Sequence, residues 1–174
     1  SKTEPLDRLV AAVRAAASAA SAIPDLVLPA VPDTIPAIHF RDALELVSRE
    51  TGLDARAEHD LAPAHERILG GWAKRIHGSD FLFVVGYPLA TRPFYTHPDP
   101  ALPGYSRSFD LLFRGQELVT GGQRLHRYAD YLSALAEHGL PAAPFEGYLE
   151  AFKHGMPPHG GFAIGLERFI AQLI

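Results

Sequence analysis

The residues best equipped for chemistry crowd into one stretch, "RGQELVTGGQRLHRY" (residues 114–128), with Asp110 just before it. Reading Arg114–Gly115 as a two-residue hairpin turn, with glycine supplying a positive φ, sets Phe113 opposite Gln116, Leu112 opposite Glu117 and Asp110 opposite Val119. Opposed residues share a sheet face, so this register predicts Asp110 and Glu117 on the same side. Two carboxylates so placed raise each other's pKa unless a cation lies between them. Mg2+, held by one or two carboxylates plus substrate phosphates, suits that geometry. Two acids on a solvated face, paired with nearby arginines, also fit the hairpin. A three-residue turn would send them to opposite faces.

Downstream, Thr120–Gly121–Gly122 permits close approach of another molecule or backbone. Arg124 follows, where a guanidinium can grip a carboxylate through two parallel hydrogen bonds or form a surface ion pair. Near the end of the chain, "GGFAIGLERF" sets Gly161, Ala163 and Gly165 at alternate positions and leaves one strand face nearly bare. A flat ligand such as a purine could lie there, and so could a closely packed helix. Arg168 falls at the start of the last helix, where the dipole disfavours a cation. A bound phosphate or a neighbouring acid would offset that cost.

Other chemistries find less support. The nine histidines include His154 and His159, but Gly-Met-Pro-Pro between them rules out one helical face. With no cysteine, thiolate zinc sites and disulfides are excluded. There is no G-x-x-x-x-G-K-[ST] loop, no dinucleotide fingerprint and no nucleophile elbow for a serine triad.

These residues need elements to hold them. The chain's 174 residues suffice for one domain with a sizeable core, and 47% apolar with 21% charged is an ordinary globular balance. The formal charge of −4, without a basic run, advertises no nucleic-acid partner globally. Arg14 and serines interrupt the longest apolar stretch, so no membrane span is expected. No signal peptide is recognisable, and cytoplasmic location is the default. Leu6, Leu9, Val10 and Val13 recur at helical spacing over about residues 6–22. A proline-rich connection then leads to a short strand near Ala37–Phe40, and "RDALELVSRE" reads as a helix stopped by Gly52. Pro63 opens another helix, weakened by Gly70–Gly71. "FLFVV" and "RSFDLLF" read as strands, followed by the strand after Arg114–Gly115. Helices follow over Tyr128–His138 and Phe145–His154, and a glycine-rich strand leads into a last helix. Adjacent strands joined by tight turns predict an α+β fold, an antiparallel sheet flanked by helices, as a single domain over residues 1–174.

Three segments in this order, "FLFVVGYPLATRPFYT", "YSRSFDLLFRGQELVTGGQRLHRY" and "FEGYLEAFKHGMPPHGGFAIGLERF", closely resemble the archaeal-type aspartyl-tRNA synthetases, a class II group with bacterial non-discriminating members. The resemblance is to the C-terminal part of the catalytic domain and is strongest over residues 64–174. It implies that ATP and aspartate form aspartyl-adenylate and that the aspartyl group then passes to tRNA. On matching positions it implies that Glu117 binds ATP and Mg2+, with Asp110 and Thr120 (usually serine) helping to hold the metal. Thr120 and Arg124 serve the amino acid, Arg124 by clamping the aspartate side chain. Gly165, Leu166, Glu167 and Arg168 form the third class II motif on the ATP side. The implied partners are tRNA(Asp) and, in non-discriminating members, tRNA(Asn), through a full-length protein that is a homodimer.

The sequence also departs from the pattern. Ala163 stands where glycine is usual, adding one methyl to the expected nucleotide floor, and Gly71 and Gly86 replace bulkier residues. Counterparts of the anticodon-binding barrel and of the first two class II motifs are missing. "HFRDALE" imitates the second motif but continues as an amphipathic helix. The expectation is therefore a synthetase segment that is inactive alone. The alternatives are an adenylating paralog that needs no tRNA, of the asparagine-synthetase kind, or a non-catalytic binding paralog.

Overall fold

The computed structural model describes residues 27–173 together with Arg8, Ala11, Ala12 and Ala15. The apolar positions of the expected first helix, Leu6, Leu9, Val10 and Val13, lie outside the described residues. Among those described, strand β1 (Ala37–His39) leads into helix α1 (Phe40–Thr51), then α2 (Pro63–His77) and β2 (Phe81–Val85). The hairpin β3 (Ser108–Phe113) and β4 (Gln116–Gln123) follows, then α3 (Tyr128–Glu137), α4 (Glu146–Lys153), β5 (Gly160–Ile164) and α5 (Leu166–Leu173). The strands form one sheet in the order β1-β2-β3-β4-β5. Its four later strands are antiparallel, as expected for an α+β fold; β1 adds to β2 in parallel, because α1 and α2 supply the crossover between them.

Local chemistry sets the element ends. His39 caps α1, its Nδ1 accepting from the Arg41 N–H at 3.2 Å, and Gly52 ends the helix at φ 73°. Pro63 opens α2 in the first turn, where no N–H is needed. The apolar run of β2 is buried on both faces. Leu82 and Val84 pack with Leu112 against Phe40, Leu44 and Val47 of α1 and Leu69 of α2. Phe81 and Phe83 pack with Leu111, Phe113, Leu118 and Val119 on the opposite face, against Phe169 and Leu173 of α5. A third cluster joins α3 and α4 to the loop after β2, through Tyr131, Leu135, Leu149, Phe152 and Phe94. No helix among the described residues is long and apolar enough to cross a membrane.

The glycine pair of α2 divides into two roles. A Cβ on Gly70 would stand 2.5 Å from the backbone N and Cα of Gly115, so the helix meets the hairpin turn backbone to backbone. At Gly71 the nearest atom would be Arg75 Nη1, at 3.6 Å. Gly70→Ala is therefore expected to cost about 1–3 kcal/mol through overpacking. Gly71→Ala should instead gain about 0.5–1 kcal/mol from helix propensity. Urea denaturation of the two variants checks the opposite signs.

Candidate active site

The β3–β4 turn has the expected two residues, with Arg114 at φ 50° and Gly115 at φ 77°, both positive as a twisted hairpin turn requires. Phe113 pairs with Gln116 and Leu112 with Glu117, as alternation predicts. Beyond that point the register shifts: Leu111 pairs with Val119 and Asp110 with Thr120. The expected Asp110–Val119 pairing is thus corrected by a β-bulge, in which Leu118 is the extra residue. Leu118 and Val119 both enter the same apolar cluster, and burying both is what favours the bulge. The consequence for the site is large. Strict alternation from Glu117 would turn Thr120 and Gly122 to the opposite face. The bulge returns them to the face of Asp110 and Glu117. An adjacent apolar pair within an alternating strand was the available signal.

Thr120 pairs with Ala163 and Gly122 with Gly161, so the bare face expected of β5 continues onto β4. This floor belongs to the face that α1 and α2 cover over β2 but leave open toward β5. A cavity of about 400 Å³ stands on it, lined by Glu117, Thr120, Arg124, Gly161 and Ala163 and by Arg92 and Tyr95 from the loop after β2. At one wall the Arg124 guanidinium lies 4.8 Å from the centre of the Tyr95 ring, and a Cβ on Gly161 would meet its Nη2 at 3.5 Å. The ion pairs of the described residues give Arg124 no carboxylate. A cation over an aromatic face, with Gly161 beside it, is set to receive an anion.

Arg92 is the residue that sequence reasoning passed over. Its Nη2 donates to Asp110 Oδ2 at 2.9 Å and its guanidinium lies 3.7 Å from the centre of the Tyr87 ring, while Nη1 reaches Asp110 Oδ1 and Thr120 Oγ1 at 3.5 Å. The side chains of Arg92 and Asp110 are 14% and 5% exposed, so this is a largely buried pair. Burial, with the Asp110 charge beside it, pushes the Tyr87 phenol far above its ordinary pKa and keeps it protonated. Arg92 comes from a loop with no local motif, and only the fold brings it across eighteen positions to Asp110.

Glu117 faces a cation of its own. Arg168 Nη1 donates to Glu117 Oε1 at 3.0 Å and to the Glu117 carbonyl at 2.9 Å. Glu117 is the neighbouring acid that offsets the cost of an arginine in the first turn of α5. Gly165, Leu166 and Glu167 stand at the junction of β5 and α5, outside the cavity lining, with Gly165 N–H donating to the Leu118 carbonyl. From α2, Glu66 Oε2 accepts from the Glu117 N–H at 2.9 Å. Burial raises the Glu66 pKa, and the Glu117 and Asp110 charges add to that; the bond from the Glu117 amide and the Arg168 charge oppose it.

The donor set suits a hard cation only together with a ligand. No group of three or more His, Asp or Glu side chains among the described residues could hold a metal by itself. Yet Glu117 lines the cavity beside the Thr120 hydroxyl, and Arg168 engages only its Oε1. One carboxylate, a hydroxyl and substrate phosphates meet what Mg2+ asks for.

The family model for class II tRNA synthetases (D, K and N) matches residues 4–174. The chain belongs to this family. Aspartate–tRNA(Asp/Asn) ligases are similar to it: that of Thermus thermophilus is 49% identical over 84% of the chain, and that of Deinococcus radiodurans is 44% identical over 97%. Among solved structures, the aspartyl-tRNA synthetase of Entamoeba histolytica covers 99% of the chain at 28% identity, with a TM-score of 0.85. The asparaginyl-tRNA synthetase of the same organism, in complex with asparaginyl-adenylate, covers 99% at 26% identity, with a TM-score of 0.80. The chain spans 34% and 40% of the lengths of the two curated relatives and 38% and 41% of the two structures. As a class II synthetase domain, the fold lines the cavity with Gly121, Gly122, Gln123 and Arg124 of its "GGQRLHRY" segment and sets Arg168 of its "GLER" segment against Glu117.

Proposed function

We propose that this chain carries the amino-acid side of an aspartate-activating site in an aspartate–tRNA ligase. The observation that supports it is Arg124, a cation with no carboxylate partner among the described residues, set over Tyr95 at the wall of a glycine-floored cavity. Five N–H donors and no acceptor suit it to a carboxylate and leave the amide N–H₂ of asparagine without a partner. In this reading Arg124 fixes the aspartate side chain so that the α-carboxylate meets the α-phosphorus of ATP. An oxygen–phosphorus bond forms, the bond to the bridging oxygen breaks and pyrophosphate leaves. The terminal ribose hydroxyl of tRNA then attacks the aspartyl carbonyl and AMP departs.

Glu117 and Thr120 would hold Mg2+ together with the ATP phosphates, with Asp110, paired to Arg92, beside Thr120 on the neighbouring strand; the ion would neutralise charge on the phosphates. Gly165, Leu166, Glu167 and Arg168 border the ATP side. The partners are tRNA(Asp) and, as for the aspartate–tRNA(Asp/Asn) ligases of Thermus thermophilus and Deinococcus radiodurans, tRNA(Asn). The full-length protein acts as a homodimer in the cytoplasm.

ATP–pyrophosphate exchange by the full-length protein tests the reading. Exchange that depends on aspartate, is weak with asparagine and is accompanied by tRNA charging is the expected result. Exchange without charging would favour a paralog that makes the adenylate for another acceptor, and no exchange would defeat both.

A further inference from the structure

Glu117 sits at a place where the sheet cannot hold it. Phe113 and Gln116 close the two-residue turn and exchange ladder bonds, so the next pair, Leu112 and Glu117, is not hydrogen-bonded across the hairpin. The N–H and C=O of Glu117 therefore point away from β3, toward the side occupied by β5. But β5 ends its pairing at Val119–Ile164, too early to meet them. Side chains from two helices take the place of the missing strand. Glu66 Oε2 accepts the N–H at 2.9 Å, and Arg168 Nη1 donates to the carbonyl at 2.9 Å.

Arg168 also touches the Glu117 carboxylate, whereas Glu66 holds the backbone alone and does not line the cavity. Glu66 lies in the first turn of α2, one turn before Gly70, where that helix meets Gly115 backbone to backbone. A Cβ on Gly115 would in turn stand 2.8 Å from Arg67 Cα and 3.2 Å from the Glu66 carbonyl. The helix is thus pressed on the hairpin turn just where Glu66 reaches over to the amide. A charged acceptor makes a stronger bond to an amide than a neutral one does, which suits a position that must not shift.

We propose that Glu66 is a positioning residue: its carboxylate substitutes for the absent strand partner, fixes the backbone of Glu117 and so aims the Glu117 side chain at the ATP side of the cavity. The inference rests on the proposed role of Glu117, while the clamp itself is read at one amide with no substrate present.

Full-length protein carrying Glu66→Ala or Glu66→Gln gives two separate readouts. In Glu66→Ala, hydrogen exchange at the Glu117 amide, without ATP, should speed up by about tenfold or more. Pyrophosphate exchange should show the KM for ATP raised by about 10–100-fold, the size expected when a partner that orients a ligating group is removed, with the KM for aspartate within about twofold. Glu66→Gln keeps an acceptor and should bring both quantities back to within about threefold of the parent. If Glu66→Ala does not fold, Glu66→Met against Glu66→Gln makes the same comparison at matched volume. Unchanged protection of the Glu117 amide would overturn the clamp. Lost protection with an unchanged KM for ATP would overturn the positioning role. A parent protein without pyrophosphate exchange defeats the proposed function instead, and the amide measurement still decides the clamp.

Discussion

Replacing Arg124 with lysine in the full-length protein should raise the KM for aspartate in pyrophosphate exchange by about 10–100-fold, through loss of one of two charged hydrogen bonds worth about 1.5–3 kcal/mol. The charge survives in this variant and the planar fork does not, so the loss measures the bidentate grip itself. Arg124→Ala should cost more, about 2–5 kcal/mol in kcat/KM, because the substrate carboxylate is then buried without a cation. The KM for ATP should move little, since Glu117 stands near the start of β4 and Arg124 just past its end. Asparagine offers the sharpest contrast. In the proposed site a guanidinium offers no acceptor for the amide N–H₂, so Arg124→Ala should narrow the ratio of aspartate to asparagine activation mostly by losing aspartate. Unchanged aspartate kinetics in Arg124→Lys would remove Arg124 from the site.

The second large effect belongs to Arg92 and is one of stability. Arg92→Met removes the cation from a pair whose carboxylate is 5% exposed. Breaking such a pair from one side commonly costs about 3–5 kcal/mol, because a buried charge is left behind. Surface ion pairs here carry no such expectation: Arg56–Asp54, with both side chains more than 60% exposed, should be removable at little cost. Adding Asp110→Asn to Arg92→Met should recover much of the loss, since no uncompensated charge then remains. Denaturant unfolding of the parent, both single variants and the double variant gives the cycle. A loss under about 1 kcal/mol for Arg92→Met would show that water reaches Asp110 and that the pair behaves as an exposed one.

The individual elements were legible because their signals are local. Gly52 stops α1, Pro63 opens α2, the apolar run of β2 reads as a strand buried on both faces, and Arg114–Gly115 makes the tight turn. The order of the strand segments and the "GGQRLHRY" and "GLER" motifs were enough for the family, and the match over residues 4–174 agrees. The glycines of β4 were read correctly as places of close approach, but those of α2 were not. There Gly70 looked like a weakness of the helix and is the point where it touches Gly115. Nothing near Gly70 in sequence announces a partner forty-five positions away.

Composition, helix caps, turn residues and motif order lie within a few residues of one another, and these the chain specifies by itself: an α+β domain of the class II synthetase family, with acids and arginines gathered on one hairpin. Which side chains meet was decided by tertiary packing. The bulge at Leu118 exists because two adjacent apolar side chains are buried together, and it alone returns Thr120 and Gly122 to the face of Asp110 and Glu117. Arg92 reaches Asp110, and Glu66 reaches the Glu117 amide, because a buried carboxylate and an unpaired strand amide must each find a partner, wherever along the chain it lies.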